Sequence, residues 1–391
     1  YGHWNEQSMI PYLQSGSEGK TNNGTLVLLG GLEISPLKNW KVFADLNFRR
    51  SNYDGSTLKL PGTIYGIDGT PISVNRSEYN IPLTGSFSRT MSEQNYITPN
   101  IYTNYKMQFD KHQIDLTAGF QQEYMQYKEL TSSATELISF DRPGTDLATG
   151  TKSSNEARNH WATRGFFARV NYNFANKYLL EVNGRYDGSS RFAASQRWGF
   201  FPSVSAGYNI SEEDFFKDNV SWIDQLKIRG SYGNLGNQAG ANMYAYLESM
   251  NIIIPGPGTG GRYYFGNDRE SYIQSPAAFN PLITWEKVQS MNIGTDFTML
   301  NQRLSGTLEW YQRNTRDMLG PSRDVADMFG ATAPQTNNAD LQTRGWEISL
   351  KWRDRINDDW SYDVGMMLTD YKSIVTKYQN PTNFNPGGAW Y

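Results

Sequence analysis

The chain has 391 residues, contains no cysteine and carries a formal net charge of −3. The lack of cysteine excludes a disulfide framework and thiolate metal sites, and the scattered charges offer no basic stripe for nucleic acid. Hydrophobic residues make up only 38% of the chain, yet aromatic residues reach 14%. Because disordered chains are poor in aromatics, this composition favours a large folded protein with a polar, wet interior and an aromatic-rich exterior.

Alternation of apolar and polar residues predicts β-strands along most of the chain, each with one apolar and one polar face. The stretch 161–213 shows this pattern best, with three strands joined by a two-residue break at Ala175-Asn176 and by one longer polar loop. We predict about twelve strands, at residues 25–34, 40–50, 96–109, 112–128, 161–174, 178–187, 200–210, 225–235, 284–300, 302–316, 343–353 and 360–372. Segments without periodicity predict loops, at residues 1–23, 51–95, 131–160, 236–282 and 318–342.

The connections between the predicted strands alternate in length. Short turns follow the odd-numbered strands and long loops follow the even-numbered ones, so all short turns fall at one end. The sequence contains no run of about 18 apolar residues, so it predicts no transmembrane helix. Long strands with this asymmetry are typical of a transmembrane antiparallel up-and-down β-barrel. A soluble β-sandwich has shorter strands, and a propeller requires a repeat of roughly 40 residues that the sequence does not show.

In a barrel, one face of each strand meets lipid and the other meets the lumen. We therefore expect Tyr172, Val182 and Val204 to face lipid. Aromatic residues near strand ends are typical of girdles at the membrane interface, and they occur at Trp40, Trp161, Tyr178, Trp198, Trp360 and Tyr371.

Residues that could support chemistry do not form a recognisable constellation. The glycine-rich run 256–261 is followed by neither Lys-Ser/Thr nor a predicted helix, so phosphate binding is not expected. His3, His112 and His160 lie far apart, without metal-ligand spacing, and there is no Gly-x-Ser-x-Gly elbow. The sequence thus predicts no catalytic, cofactor-binding or metal site, and we do not expect an enzyme.

Six stretches resemble the SusC/RagA family of TonB-dependent outer-membrane transporters, and they occur in the order found in that family. They are YLLEVNGRYDGSSRF (178–192), RWGFFPSVSAGYNISEE (197–213), QLKIRGSYGNLGNQ (225–238), TWEKVQSMNIGTDF (284–297), NQRLSGTLEWYQRNTRDML (301–319) and TRGWEISLKWRD (343–354). The combination is specific, although no single tetrapeptide within it is.

The resemblance implies a barrel of about 22 strands with an N-terminal plug, capped by a SusD-like surface lipoprotein. Such proteins import oligosaccharides or peptides across the outer membrane of Bacteroidetes-type Gram-negative bacteria, energised through TonB. We find no TonB-interacting box, plug or closing C-terminal strands. We therefore interpret residues 1–391 as an interior segment of one barrel domain, in contact with outer-membrane lipid.

The resemblance also suggests where a solute would pass. Charged positions on the polar faces would border the plug and the solute path, namely Arg169, Glu181, Arg185, Lys227, Arg229, Glu347 and Lys351. The aromatic loop residues Tyr263, Tyr264 and Phe265 would bind the ligand by stacking on sugar rings, or would pack beneath the lipoprotein. The alternative function is that of a surface or secreted all-β carbohydrate-binding protein without transport activity.

Overall fold

The computed structural model describes residues 15–65, 71–74, 84–253, 271–274, 276, 278–321 and 334–378. Within these ranges sixteen strands occur in chain order. They are β1 (Glu18–Leu37), β2 (Trp40–Lys59), β3 (Gly62–Tyr65), β4 (Pro71–Val74), β5 (Ser86–Phe109), β6 (His112–Thr135), β7 (Lys152–Phe174), β8 (Tyr178–Ser189), β9 (Trp198–Asn209), β10 (Ile223–Asn237), β11 (Ile252–Ile253), β12 (Tyr272–Ile273), β13 (Glu286–Met299), β14 (Leu304–Pro321), β15 (Gln335–Arg355) and β16 (Ser361–Lys377).

Twelve of these strands form one antiparallel sheet in which each strand pairs with the next long strand in the chain. The other four form two small hairpins, β3–β4 and β11–β12. This up-and-down order confirms the predicted all-β architecture of about twelve strands. In the part of the chain that the structure describes, no helix has the length and apolar character required to cross a membrane.

The alternation predicted for 161–213 is confirmed by the strand registers. Val182 of β8 lies opposite Val170 of β7 and Val204 of β9. All three side chains are exposed, with 41–45% of their surface accessible. Between them, Asn183 and Glu181 project to the other face, because successive side chains on a strand point in opposite directions. The sheet thus has an exposed apolar face and a polar face.

The predicted two-residue break is a tight turn between β7 and β8. Ala175 and Asn176 have φ angles of 53° and 57°, and the Lys177 N–H donates to the Phe174 carbonyl at 2.9 Å. Positive φ at both central positions gives the turn a twist that matches that of the flanking strands. The tight turn of this hairpin is therefore specified by the local sequence.

Parts of all five predicted loops are strand, so the loop assignment was wrong there; the loop 51–95 also contains β3 and β4, and the loop 236–282 contains β11 and β12. The strands extend at their loop ends, where β1 begins at Glu18, β2 ends at Lys59, β5 begins at Ser86, β6 ends at Thr135, β7 begins at Lys152, β14 ends at Pro321 and β15 begins at Gln335. Both faces of these extensions carry mostly polar residues, so they lack the alternation on which the prediction depended. These extensions pair with their neighbours because the backbone hydrogen bonds between strands continue into them from the apolar part of each strand.

The connection between β9 and β10 is longer than a tight turn. It contains a 3₁₀ turn (Ile210–Glu212) and a short helix, α1 (Asp214–Asn219). Asp214 lies in the first turn of α1 and Lys217 in its last, which is the favourable arrangement for the helix dipole. The prediction of a short turn after every odd-numbered strand was therefore wrong here. Phe216 is the buried residue of the helix, and its burial explains why this longer connection is ordered.

Contacts divide the chain into two compact units. The first comprises the described parts of residues 1–31, 45–99 and 123–161, and its buried cluster consists of Leu58, Ala134, Leu137 and Ala148. The second comprises the described parts of residues 32–44, 100–122 and 162–391. Its buried cluster, hereafter the loop-side core, consists of Phe192, Phe201, Ala241, Ile283 and Trp285.

Candidate functional site on the polar face of the sheet

The seven charged residues predicted to line a solute path lie in the second unit, and the registers place them on one face of the sheet. The face can be followed from strand to strand through directly opposed residues, which are Arg169–Asn183, Glu181–Ser205, Ser205–Ser231, Arg229–Gly294, Gly294–Glu309 and Glu309–Glu347. Arg185, Lys227 and Lys351 occupy alternate positions on the same strands and share this face. Residues far apart in sequence therefore form one polar surface.

The centre of this surface is an ion-pair triad around Arg229. Its Nε donates to Asp296 Oδ2 at 3.1 Å, and its Nη2 donates to Glu309 Oε2 at 2.5 Å. Glu347 lies directly opposite Glu309, and Lys227 lies directly opposite Asp296. Like charges placed opposite each other are unfavourable, so Arg229 offsets the repulsion between the carboxylates. Alternation could have identified Asp296 and Glu309, because both occupy polar-face positions of predicted strands.

The strands before the triad carry two further polar networks. Arg169 Nε donates to Asn183 Oδ1 at 2.6 Å, and Asn183 Nδ2 donates to Glu181 Oε1 at 2.7 Å. Arg185 binds the Asp187 carboxylate at 3.0 and 3.1 Å and Gln121 Oε1 at 3.3 Å. These hydrogen bonds hold the long side chains of Arg169 and Arg185 against the polar face of the sheet.

A cavity of about 800 Å³ opens on this surface, with Lys106, Asp115, Glu181, Lys227 and Arg229 among its lining residues. Its charges have both signs, so it suits a neutral or zwitterionic polar guest better than a strongly charged one. Lys351 lies outside this cavity and pairs with Asp363 at 2.9 Å. Glu347 lines a second recess of about 460 Å³.

An aromatic row on the polar face was not predicted. Phe43 of β2 stacks on Tyr102 of β5 with ring centroids 4.7 Å apart, and the Arg185 guanidinium lies 5.5 Å from the ring centre of Phe167. Gly119 lies between these elements, since a Cβ there would come within 2.6 Å of Phe167 Cζ. The row was missed because aromatic residues at polar-face positions resemble interruptions of the alternation.

The loop-side core brings together residues from three of the stretches quoted above. Phe192 is fully buried, and Trp285 packs against both Phe192 and Phe201 with centroid distances of 5.3 and 5.4 Å. Gly236 is required here, because a Cβ at this position would lie 2.2 Å from Phe201 Cζ. Apolar packing thus joins the loop ends of β9, β10 and β13.

Hydrogen bonds surround the loop-side core. Buried Ser189 donates to Gln238 Oε1 at 2.5 Å and accepts the Arg191 N–H at 3.1 Å, so this serine satisfies a backbone group. The carboxylate of Glu286, also buried, accepts from Asn237 Nδ2 at 2.6 Å and from the Leu319 N–H at 2.9 Å. These bonds fix the segments that lead into the loops.

The turn end of the sheet carries a second polar cluster, hereafter the turn-side lock. The carboxylate of Glu213 accepts from Lys177 Nζ at 2.9 Å and from the hydroxyls of Tyr178 and Tyr208 at 2.9 and 3.2 Å. The hydrogen bond from Lys177 and those from the two tyrosines hold the pKa of Glu213 below its usual value. The hydrogen bond to Glu213 raises the pKa of Lys177. The lock ties the β7–β8 turn to the connection that contains α1.

Two further predictions concern the aromatic loop residues and metal binding. Tyr263, Tyr264 and Phe265 lie outside the described residues. Across the described ranges, no group of three or more His, Asp or Glu side chains is placed to hold a metal ion. His112 instead stacks on Phe109 at 4.9 Å and shares a hydrogen bond with the Tyr172 hydroxyl at 2.8 Å.

Comparison with known proteins identifies this architecture. The family model described as "TonB dependent receptor-like, beta-barrel" matches residues 6–390. The chain belongs to the TonB-dependent receptor β-barrel family. It is 30% identical over 279 residues to the TonB-dependent receptor SusC of Bacteroides thetaiotaomicron, which covers 71% of this chain and 27% of that protein. It is also 27% identical over 296 residues to the TonB-dependent receptor P39 of Formosa agariphila, covering 73% of this chain and 27% of the relative.

Solved structures show the same fold. The RagAB peptide importer in its "closed-closed" state matches with a TM-score of 0.79 at 21% identity, covering 94% of this chain and 38% of that chain. The "open-open" state matches with a TM-score of 0.78 at 22% identity, covering 97% and 39%. The chain therefore spans about a quarter of the length of the curated relatives that it matches.

Family membership confirms three expectations. The chain is SusC/RagA-like, it belongs to an outer-membrane β-barrel, and its family is one of receptors and transporters and not of enzymes. The exposed apolar face is accordingly the lipid-facing side expected of such a barrel. The polar face described above is the surface on which the functional proposal depends.

Proposed function

We propose that this chain forms part of the wall and the loops of one barrel domain, in a protein that imports oligosaccharides or peptides through the outer membrane with energy relayed by TonB. The observation that supports this most strongly is the two-faced sheet. An exposed apolar face backs a polar face on which the Arg229 triad and its neighbours are held in place. A secreted carbohydrate-binding protein has no need for that apolar face, so family and geometry both favour the importer.

The polar face offers contacts suited to either class of solute. Oligosaccharides are recognised by aromatic rings and by hydrogen bonds from fixed polar groups, and Phe43, Tyr102 and Phe167 provide rings on this face. Peptides present backbone amides and charged termini, for which Lys227 and Glu181 provide both signs of charge in one cavity. One matched structure is described as a peptide importer, and we propose peptides and oligosaccharides as the two candidate solute classes here.

The remaining assignments extend this proposal. The polar face borders the plug and the solute path through Arg169, Glu181, Arg185, Lys227, Arg229, Glu347 and Lys351. The loops contact a SusD-like surface lipoprotein, and Tyr263, Tyr264 and Phe265 contact the solute there. The loop-side core would give those loops a rigid base, because its hydrogen bonds fix the segments from which the loops depart.

Uptake by the full-length protein tests the proposal. A strain lacking the gene is complemented with wild type, with Lys227→Glu in the cavity, or with Arg164→Gln on the apolar face of β7 as a control. Labelled oligosaccharides and peptides are supplied with and without a protonophore. We expect energy-dependent uptake of one class, reduced at least several-fold by Lys227→Glu and unchanged by Arg164→Gln. Deletion of the gene without loss of uptake of any oligosaccharide or peptide would overturn the proposal.

A further inference from the structure

The apolar face changes character at the loop ends of β13 to β16. Trp310 and Trp346 lie directly opposite each other on this face, and both are exposed. Two residues further toward the loops, Arg344 lies between Gln312 on β14 and Lys372 on β16. Aromatic residues mark the boundary of the hydrocarbon layer in membrane barrels. The basic residues therefore begin where the headgroup layer begins.

A second basic pair lies higher on the same face. Lys287 of β13 is directly opposite Arg316 of β14, and Asn314 and Gln342 fill the space between the two basic rows, hydrogen-bonded at 2.8 Å. Alternation from Leu308 and Trp310, both exposed, places Arg316 on the apolar face. Four strands thus contribute to one surface, hereafter the basic patch, formed by Lys287, Arg316, Arg344 and Lys372.

The charges of the basic patch are not balanced within the described chain. Lys287 pairs with Asp317 at 3.3 Å. None of the described carboxylates lies within ion-pair distance of Arg316, Arg344 or Lys372, although Asp370 sits on the same face opposite Trp346. Arg344 and Lys372 are cross-strand partners, and like charges in this arrangement repel each other. All four cations are exposed, so an external anion would relieve the repulsion.

We propose that the basic patch binds the phosphate-bearing headgroup of a glycolipid in the outer leaflet of the membrane. This rests on the proposed function, which places the long loops outside the cell. Arginine and lysine at the level of the headgroups attract anionic lipids, and arginine forms paired, charge-assisted hydrogen bonds with phosphate. Directly below the patch, Trp310 and Trp346 provide a flat apolar surface against which the first methylene groups of acyl chains pack.

A second copy of this chain is a poorer occupant. In a two-fold symmetric dimer the same patch appears on both partners, so Arg344 and Lys372 would face cations across the interface. Burying unpaired like charges is costly. A lipid phosphate instead supplies the missing negative charge without burying any cation away from water.

Lipid binding to the full-length purified protein tests this directly. The probes are diphosphorylated lipid A and the same lipid with its phosphates removed, added to the protein in mild detergent and quantified by native mass spectrometry. The test variant is Arg344→Gln/Lys372→Gln. The matched control is Arg313→Gln/Arg353→Gln, which removes two cations from the polar faces of β14 and β15. Arg344→Lys/Lys372→Arg preserves the charges.

We expect wild type, the control and the charge-preserving variant to bind the phosphorylated lipid, and the test variant to bind it about 30-fold more weakly, as the loss of two cations near a charged surface implies. Excess inorganic phosphate should compete only weakly, because it lacks the acyl chains. Folding of each protein is verified by its heat-dependent mobility on gels, and Arg316→Gln replaces the double variant if that variant does not fold.

Equal binding by wild type and the folded test variant would overturn the inference, as would equal binding of the two lipids. A change of oligomeric state without a change in lipid binding would assign the patch to a second copy. Since this assay contains neither solute nor TonB, failure of the uptake experiment leaves its outcome unaffected, and the two proposals can fail separately.

Discussion

Replacing Val182 with arginine tests whether the exposed apolar face meets lipid. Val182 lies four residues from Tyr178 at the turn end of β8, which is about 13 Å along a strand and about 10 Å in depth for a tilt of about 40°. The lipid-facing band of such barrels is about 25 Å tall. Val182 thus lies close to the middle of the band, with Val170 and Val204 opposite it.

An arginine on the lipid face near the midplane costs about 2–4 kcal/mol. This corresponds to a decrease of roughly 30- to 700-fold in the folding equilibrium constant, at about 1.4 kcal/mol per factor of ten. The neighbouring valines offer no hydrogen-bond acceptor, so the guanidinium has to reach the interface along the strand or draw water into the bilayer. Either route leaves most of this free-energy cost uncompensated.

The assay is urea-dependent folding of the full-length protein into lipid vesicles, followed by heat-dependent gel mobility, together with its yield in outer-membrane fractions. Ser205→Arg is the matched control, because it introduces the same side chain on the polar face of β9, opposite Glu181. We expect a lower urea midpoint and lower yield for Val182→Arg only. An unchanged midpoint for Val182→Arg, or equal losses for both variants, would refute the assignment of the faces.

Three further predictions concern the two clusters and the triad. Gly236→Ala should destabilise the loop-side core by about 1–3 kcal/mol through overpacking against Phe201, measured as faster proteolysis of the loops. Glu213→Gln should flatten the pH dependence of hydrogen exchange at the turn end. The lowered pKa of Glu213 means that its stabilisation is complete above the ordinary carboxyl pKa of about 4.3 and is lost as the pH falls through the lower folded value. Arg229→Gln should reduce stability by about 1–2 kcal/mol, between the values for exposed and buried ion pairs, and should lower solute uptake.

Each of these predictions has its own control. Gly230→Ala on the same strand should be nearly neutral, because its Cβ would meet Asn292 O only at 3.8 Å. Similar proteolysis of the two glycine variants would contradict the packing argument. If hydrogen exchange at the turn end depended on pH in the same way in wild type and in Glu213→Gln, the turn-side lock would not stabilise this end of the sheet. Arg229→Gln with unchanged uptake would separate the triad from the solute path.

We could predict the number, order and faces of the strands because the sheet separates an apolar from a polar environment. Residues along each strand therefore alternate between apolar and polar with a period of two. Val182 and Glu181 illustrate this, as each occupies the face that alternation gave it. The same cause explains the failures at the loop ends. Around Thr135 and Lys152 both faces are polar, so the sequence there lacks the signal even though the strands continue.

The candidate site was predictable to a similar degree. Alternation placed Arg229 on the polar face, but its partners Asp296 and Glu309 depend on strand registers that no local pattern specifies. The loop-side core was not predicted, because Phe192 and Trp285 lie 93 positions apart and meet only when β9, β10 and β13 are aligned. Glu213 lies in none of the predicted strands, so alternation gives no indication of the three hydrogen bonds that it accepts.

Two strands of the second unit, β9 and β15, present the membrane with apolar faces of different height. On β9 the apolar face runs from Trp198 to Tyr208, ten residue steps or about 33 Å along the strand. On β15 it runs from Trp346 to Trp352, six steps or about 20 Å. A bilayer in contact with β15 must thin locally or the wall must tilt to remove the hydrophobic mismatch. Thinned lipid beside β14 to β16 would be easier to deform, which would favour lateral movement of this part of the wall over movement near β9.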